Sequence, residues 1–251
     1  CCNHQDFAGF GAAVPDSLQE VRVSIMKSAG ANSWRTAHNP PNSALLDACD
    51  KLGMLVWDEN HKNSIDGQFE DDLKSMIRRD RNHPSVIVWS ICNERLCEDF
   101  DVGTAWKLRT LIKDLDPTRP VTAAIHGKWG SQFKGVLDLI GINYNVVKYD
   151  KIRELARNIP LIASETTSAV SDRGVYRTDE KSARVSSFDT DHVKWGTTAR
   201  EGWKLVNQRK WLAGAFVWTG FDYGGEPLPY SWPNVLSHFG VVDSSGAPKD
   251  S

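Results

Sequence analysis

Two patterns of apolar positions alternate along the chain: short continuous runs, and longer stretches with a single apolar face. Ser17–Ala29 puts Leu18, Val21, Ile25 and Ala29 on one helical face, with Asp16 placed as an N-cap and Gly30 as a stop. Ser33–Arg35 then reads as a short strand, Ser43–Leu52 as a helix ending at Gly53, and Met54–Trp57 as a strand. The same rhythm predicts a helix over Glu70–Asn82, stopped by Pro84, and a strand over Val86–Ile91. That strand is continuously apolar, as a strand covered on both faces must be. A helix follows over Val102–Leu115, then strands at Val121–Ala124 and Leu137–Ile142 and a helix over Asp150–Asn158. Leu161–Ser164 is a strand, Thr190–Arg209 holds a long helix, and Leu212–Trp218 is the last strand. Seven strands alternating with helices imply a parallel sheet covered by helices. With Cys1 and Cys2 as the tail of another strand the number is eight, which points to a (β/α)₈ TIM barrel rather than an open doubly wound sheet. The abrupt start at Cys1 and the absence of a recognisable helix after the last strand suggest a barrel cut at both ends. Neither G-x-G-x-x-G nor G-x-x-x-x-G-K-[ST] occurs, so the usual nucleotide signatures are missing.

Composition narrows the partners more than the fold. The 30 Lys and Arg nearly balance the 32 Asp and Glu, leaving a net charge of −2, so no basic field exists to hold nucleic acid. No apolar run reaches the roughly 20 residues that span a bilayer, so no membrane partner is expected. The five cysteines form no zinc or redox spacing and read as small buried hydrophobes. The ten tryptophans are unusual, and flat aromatic faces suit the C–H face of a sugar ring.

Polar residues cluster just after the predicted strands: Arg35 and His38, then Asp58, Glu59 and His61, Asn93 and Glu94, His126, Asn143 and Tyr144, Glu165, and Trp218 with Asp222. In a barrel these points converge on the C-terminal rim. Glu94 and Glu165 lie directly at strand ends, so the sheet aims them. Glycoside hydrolysis gives a pair of carboxyls there a reason: one protonates the leaving oxygen, and the other attacks the anomeric carbon or activates water.

Asn32–Pro40 (NSWRTAHNP) and Asp80–Glu94 (DRNHPSVIVWSICNE) resemble the two signature segments of glycoside hydrolase family 2. Gly214–Pro227 (GAFVWTGFDYGGEP) and His238–Asp243 (HFGVVD) resemble its closing segments. The resemblance covers nearly the whole chain. It implies the family's catalytic barrel as a single domain over 1–251, preceded in the full-length chain by β-sandwich domains. By the same resemblance Glu94 is the general acid/base and Glu165 the nucleophile of a retaining exo-β-glycosidase. Asn93 binds the sugar 2-hydroxyl, Arg35 holds the nucleophile ionised, His38 binds the sugar, Tyr144 donates to the nucleophile, and Trp218 is the aromatic platform, with Asp222 four residues on. Asp58 and His126 join them as rim candidates for substrate binding. An ionised Glu165 asks for donors that keep its pKa low, while Glu94 must begin protonated, in a dry setting or beside a negative charge.

Some β-galactosidases of the family hold magnesium through a Glu-x-His pair after the third strand together with the acid/base glutamate. Here that stretch reads DENHKNSIDG: Glu59 and His61 come too early, and Asn63 and Ile65 occupy the ligand positions. A metal-independent site with no cofactor is therefore expected. Ser168 replaces the histidine that in some relatives meets the sugar 6-hydroxyl. No Asn-x-Lys stands in a plausible place for a substrate carboxylate, since Asn207-Gln-Arg209 offers arginine in a helical stretch. A neutral sugar follows, with β-galactosides first and β-glucuronides or β-mannosides as alternatives. A non-catalytic carbohydrate-binding barrel or an inactive fragment is the rival reading. Homo-oligomerisation and the compartment, periplasmic, secreted or cytoplasmic, stay open.

Overall fold

A computed structural model describes residues 1–60, 66–98, 101–127 and 135–250. Eight strands run in chain order as β1 (Cys2–Asn3), β2 (Ser33–Thr36), β3 (Leu55–Glu59), β4 (Val86–Asn93), β5 (Val121–Ile125), β6 (Ile140–Asn143), β7 (Leu161–Thr167) and β8 (Leu212–Trp218). Every neighbouring pair is parallel and the spatial order equals the sequence order. The gap between β1 and β8 is bridged by Gly220 N–H donating to Cys2 O at 2.9 Å. The chain is thus a (β/α)₈ barrel, nearly closed, with β1 reduced to two residues. Among the described residues no helix follows β8, and none is long and apolar enough to cross a membrane.

The helices are α1 (Asp16–Ser28), α2 (Ser43–Leu52), α3 (Gly67–Asp80), α4 (Arg95–Glu98), α5 (Val102–Leu115), α6 (Tyr149–Leu155) and α7 (Ala199–Asn207). Side chains of Asn42, Asp66, Asp101 and Thr198 accept from the first-turn amides of α2, α3, α5 and α7, each such cap worth about 1 kcal/mol. Two predicted boundaries move. Asp16 is the first residue of α1 rather than its cap, and the Asp66 cap starts α3 three residues before Glu70. The long helix expected within Thr190–Arg209 shrinks to the nine residues of α7, since turns and bridges occupy the stretch before Thr198.

The main core lies between strands and helices, around Trp34, Leu46, Met54, Phe69, Leu73, Trp89 and Ile112. A second cluster fills the barrel itself, with Trp57, Val88, Ala124, Phe216 and Trp218. The Trp57 ring sets the residue opposite it: a Cβ on Gly141 would come 2.8 Å from Trp57 Cη2 and 2.7 Å from Ser164 Oγ. Position 141 therefore has to be glycine for the indole to lie across the barrel. The cysteines split. Cys2 and Cys49 are buried thiols, as expected, but Cys92 and Cys97 form a disulfide that joins the end of β4 to α4 and brackets Glu94. The sequence reading missed this bond because its partners match no familiar framework.

Candidate active site

Strand irregularities gather where the candidate residues stand. The register shifts between Ser90 and Asn93, between Ile142 and Asn143, and between Ala163 and Thr166. Such shifts re-aim the side chains that follow them. Glu94 and Tyr144 also take left-handed backbone, with φ of 46° and 53°, a conformation that costs a non-glycine residue on the order of 1 kcal/mol and concentrates at functional sites.

Arg35 is the centre of the cluster and is fully buried. Its Nη1 donates to Glu165 Oε1 at 2.7 Å and to Ser164 O at 3.1 Å. Its Nη2 donates to Asn93 Oδ1 at 2.8 Å and to both oxygens of Glu59 at 2.9 and 2.8 Å. From Asn93 the network continues. Asn143 Nδ2 donates to Asn93 Oδ1 and to Glu94 Oε1, both at 3.0 Å, and Ser164 Oγ fixes the Asn143 amide by donating to its Oδ1 at 2.7 Å. Four hydrogen bonds therefore lead from Glu165 through Arg35, Asn93 and Asn143 to Glu94.

The two glutamates sit in different surroundings. The Glu165 side chain is 4% exposed and the Glu94 side chain 37%. Burial pushes the Glu165 carboxyl above its usual range, opposed by the charges of Arg35 and His38, and Glu94 adds repulsion. This corrects the expectation of a low pKa: desolvation outweighs the arginine. Tyr144 accepts from Ser168 Oγ at 2.9 Å, which leaves its own proton for the adjacent Glu165 carboxylate. Burial and that carboxylate hold the phenol well above its usual pKa of 10. Ser168 is buried and serves Tyr144 rather than facing the mouth.

His38 stacks on Trp218, with ring centroids 5.3 Å apart and planes at 15°, and its Nε2 lies 3.8 Å from Glu165 Oε1. His126 reaches the other side, with Nδ1 3.7 Å from Glu94 Oε1. Arg35, His38, Asn93, Glu94, His126, Tyr144, Glu165 and Trp218 thus form one cluster.

Two candidates lie outside it. Asp58 alternates with Trp57 and Glu59 along β3, so its side chain leaves the barrel toward α3. There it accepts from Thr36 Oγ1 and meets Asp80; burial and that second acid raise its pKa well above the carboxylate range. Asp222 is also buried and spends its oxygens on Gly240 N–H and on Lys249 Nζ, at 2.7 and 3.0 Å. Burial lifts it to about 6 against the pull of Lys249, and its role is to pin the C-terminal segment under the β8 loop. Glu59 and Asn143 were legible only as strand-end polar residues; the pleat and the register put them into the cluster.

The metal question falls partly outside the described residues, since His61, Asn63 and Ile65 belong to the stretch 61–65. Among the described residues, the one group of three donors near enough to share an ion is Asp47, Asp50 and His83, which does not include Glu94.

The profile of glycosyl hydrolases family 2, TIM barrel domain, matches residues 2–70 and 63–226. A β-galactosidase of Bacteroides ovatus is 35% identical over 99% of the chain, which spans 37% of that relative's length. A β-glucuronidase of Bacteroides fragilis is 30% identical over 89% of the chain, which spans 35% of that relative. Among solved structures, a β-glycosidase from Bacteroides vulgatus superposes with a TM-score of 0.85 at 30% identity, covering 99% of this chain and 37% of that one.

Proposed function

Because the chain belongs to glycoside hydrolase family 2, we propose that the protein it comes from is a retaining exo-β-glycosidase acting on terminal β-galactosides. The observation that carries this reading is the hydrogen-bonded path from Glu165 through Arg35, Asn93 and Asn143 to Glu94. It places a buried carboxyl and a half-open one at the ends of two strands of one barrel mouth. Glu165 attacks the anomeric carbon while Glu94 passes its proton to the departing glycosidic oxygen, giving a glycosyl ester and a free aglycone. Glu94, now a carboxylate, takes a proton from water as that water attacks the same carbon and restores Glu165. Arg35 and Tyr144 steady the Glu165 carboxylate, and Asn93 is positioned for the 2-hydroxyl. Trp218, with His38 stacked on it, offers the sugar an apolar wall.

The choice of a neutral sugar rests on the sequence, in which no Asn-x-Lys stands in a plausible place for a substrate carboxylate. Arg209, the cation of the Asn207-Gln-Arg209 stretch, is bound to Asp150 on the outer helical layer at 2.6 and 3.0 Å. A β-galactosidase is among the relatives with the highest identity to this chain. The test is a panel of aryl β-glycosides given to the full-length protein. The β-galactoside should have the highest kcat/KM; a β-glucuronide or β-mannoside in its place would replace the sugar assignment and leave the mechanism standing.

Two further expectations follow from the site. In a crystal structure the Glu94 and Glu165 carboxyls should lie about 5–5.5 Å apart, the retaining spacing; roughly 6.5–9.5 Å would instead indicate inversion. Activity should also survive EDTA within about twofold, because a divalent ion on Glu94 needs further hard oxygen ligands. Loss of activity that magnesium restores would show that the loop after β3 builds a metal site.

A further inference from the structure

We propose that Glu59 is a positioning residue that holds both Arg35 and His38 against Glu165. Glu59 is fully buried at the end of β3, below the mouth. It takes Arg35 Nε at 3.1 Å and Nη2 at 2.8 and 2.9 Å. It also takes His38 Nδ1 at 2.7 Å, so one carboxylate grips the two groups that face Glu165 from β2 and its loop. Glu59 is itself locked by Trp57 Nε1 at 3.1 Å and Ser90 Oγ at 3.0 Å. With every strong acceptor direction used, the carboxylate has one orientation, and the planar guanidinium bound to it inherits that orientation.

The charge balance supports the same role. Burial alone would raise the Glu59 pKa, but Arg35 and His38 override it and hold the group near 2. Glu59 is therefore an anion throughout the working range. One buried guanidinium lies between two carboxylates. If Glu59 were neutral, Arg35 would be free to turn toward Glu165 alone, or toward Ser164 O and Asn93, which it also touches. Fixing the cation spares the nucleophile that reorganisation. A displacement of about 1 Å in such a group can cost roughly 10²-fold in rate.

The inference rests on the proposed role of Glu165, and its test keeps the two ideas apart. In the full-length protein, Glu59→Gln is expected to lower kcat roughly 10²-fold with KM within about threefold. In an Arg35→Met background the same change should cost clearly less, about tenfold at most, because only its hold on His38 remains. A residue that merely braces β3 would cost as much in both backgrounds. Thermal melting gives a second reading that does not depend on activity. Glu59→Gln should lower Tm in the native background. It should raise Tm in Arg35→Met, where it removes a buried carboxylate that has lost its main partner. If the single variant does not fold, the double variant should be recovered folded. Glu59→Asp, which keeps the charge but withdraws it by one methylene, should retain the native KM with kcat down about tenfold. Additive losses in both cycles, or full kcat in Glu59→Asp, overturn the proposal. Inactivity of the unsubstituted protein against every glycoside would count against the hydrolase reading instead, and the melting cycle would then decide whether Glu59 holds Arg35.

Discussion

Glu165→Gln should reduce turnover of an activated aryl β-galactoside by roughly 10⁴- to 10⁶-fold, the range seen when a covalent nucleophile is removed. The amide keeps the size of the side chain and can still accept from Arg35, so the fold and substrate affinity should change little. What disappears is the attacking oxygen anion. Treatment with a 2-deoxy-2-fluoro-β-galactosyl fluoride should label the native protein on the peptide containing Glu165, as read by mass spectrometry, and leave the variant unlabelled. Label on another carboxylate would remove Glu165 from the nucleophile's role. The same residue sets the acid limb of the pH profile. Glu165 must be ionised to attack, and burial raises its pKa above the ordinary 4.5 despite Arg35 and His38. Activity, read as kcat/KM, should therefore rise with pH through a midpoint above 4.5 rather than below it. A midpoint well under the ordinary glutamate value would mean that Arg35 prevails over desolvation.

The second large effect separates the two steps. Glu94→Ala removes the proton donor, but an aryl leaving group of low pKa departs with little help, so formation of the glycosyl-enzyme should remain fast. Its hydrolysis should slow by about 10²- to 10⁴-fold, because water has lost its base. The ester then accumulates, giving a burst of aryl product followed by a slow steady state. Azide needs no deprotonation and fits the space left by the carboxyl, whose Oε1 now meets Asn143 Nδ2 and lies near His126. It should accelerate turnover of Glu94→Ala and yield the β-glycosyl azide, with configuration retained. Rescue of Glu165→Ala to that retained product, with Glu94→Ala unresponsive, would reverse the two roles.

The local pattern of the chain carried the architecture and named most residues of the candidate cluster. Period and stop signals belong to short stretches, so the alternation of strands and helices survived folding, with most boundaries shifted by a few residues and the helix expected within Thr190–Arg209 cut to Ala199–Asn207. In a parallel barrel every strand end comes to one rim, so polar residues placed after strands were already candidates before any contact was known. The contacts themselves depend on distant parts of the chain. Asp58 and Glu59 are adjacent in sequence and chemically alike, yet the pleat of β3 sends one toward α3 and the other under Arg35. Asp222 looked like a rim acid until Lys249, 27 residues on, took it. Asn143 became the bridge between Asn93 and Glu94 only because a register shift turns the end of β6. The pKa of Glu165 depends on how completely the neighbouring strands and loops exclude water from it. Residue type and spacing are properties of neighbours along the chain, and they announce the elements and the chemistry on offer. Which face a side chain takes, which partner meets it and how dry it becomes are decided by packing between segments far apart in sequence.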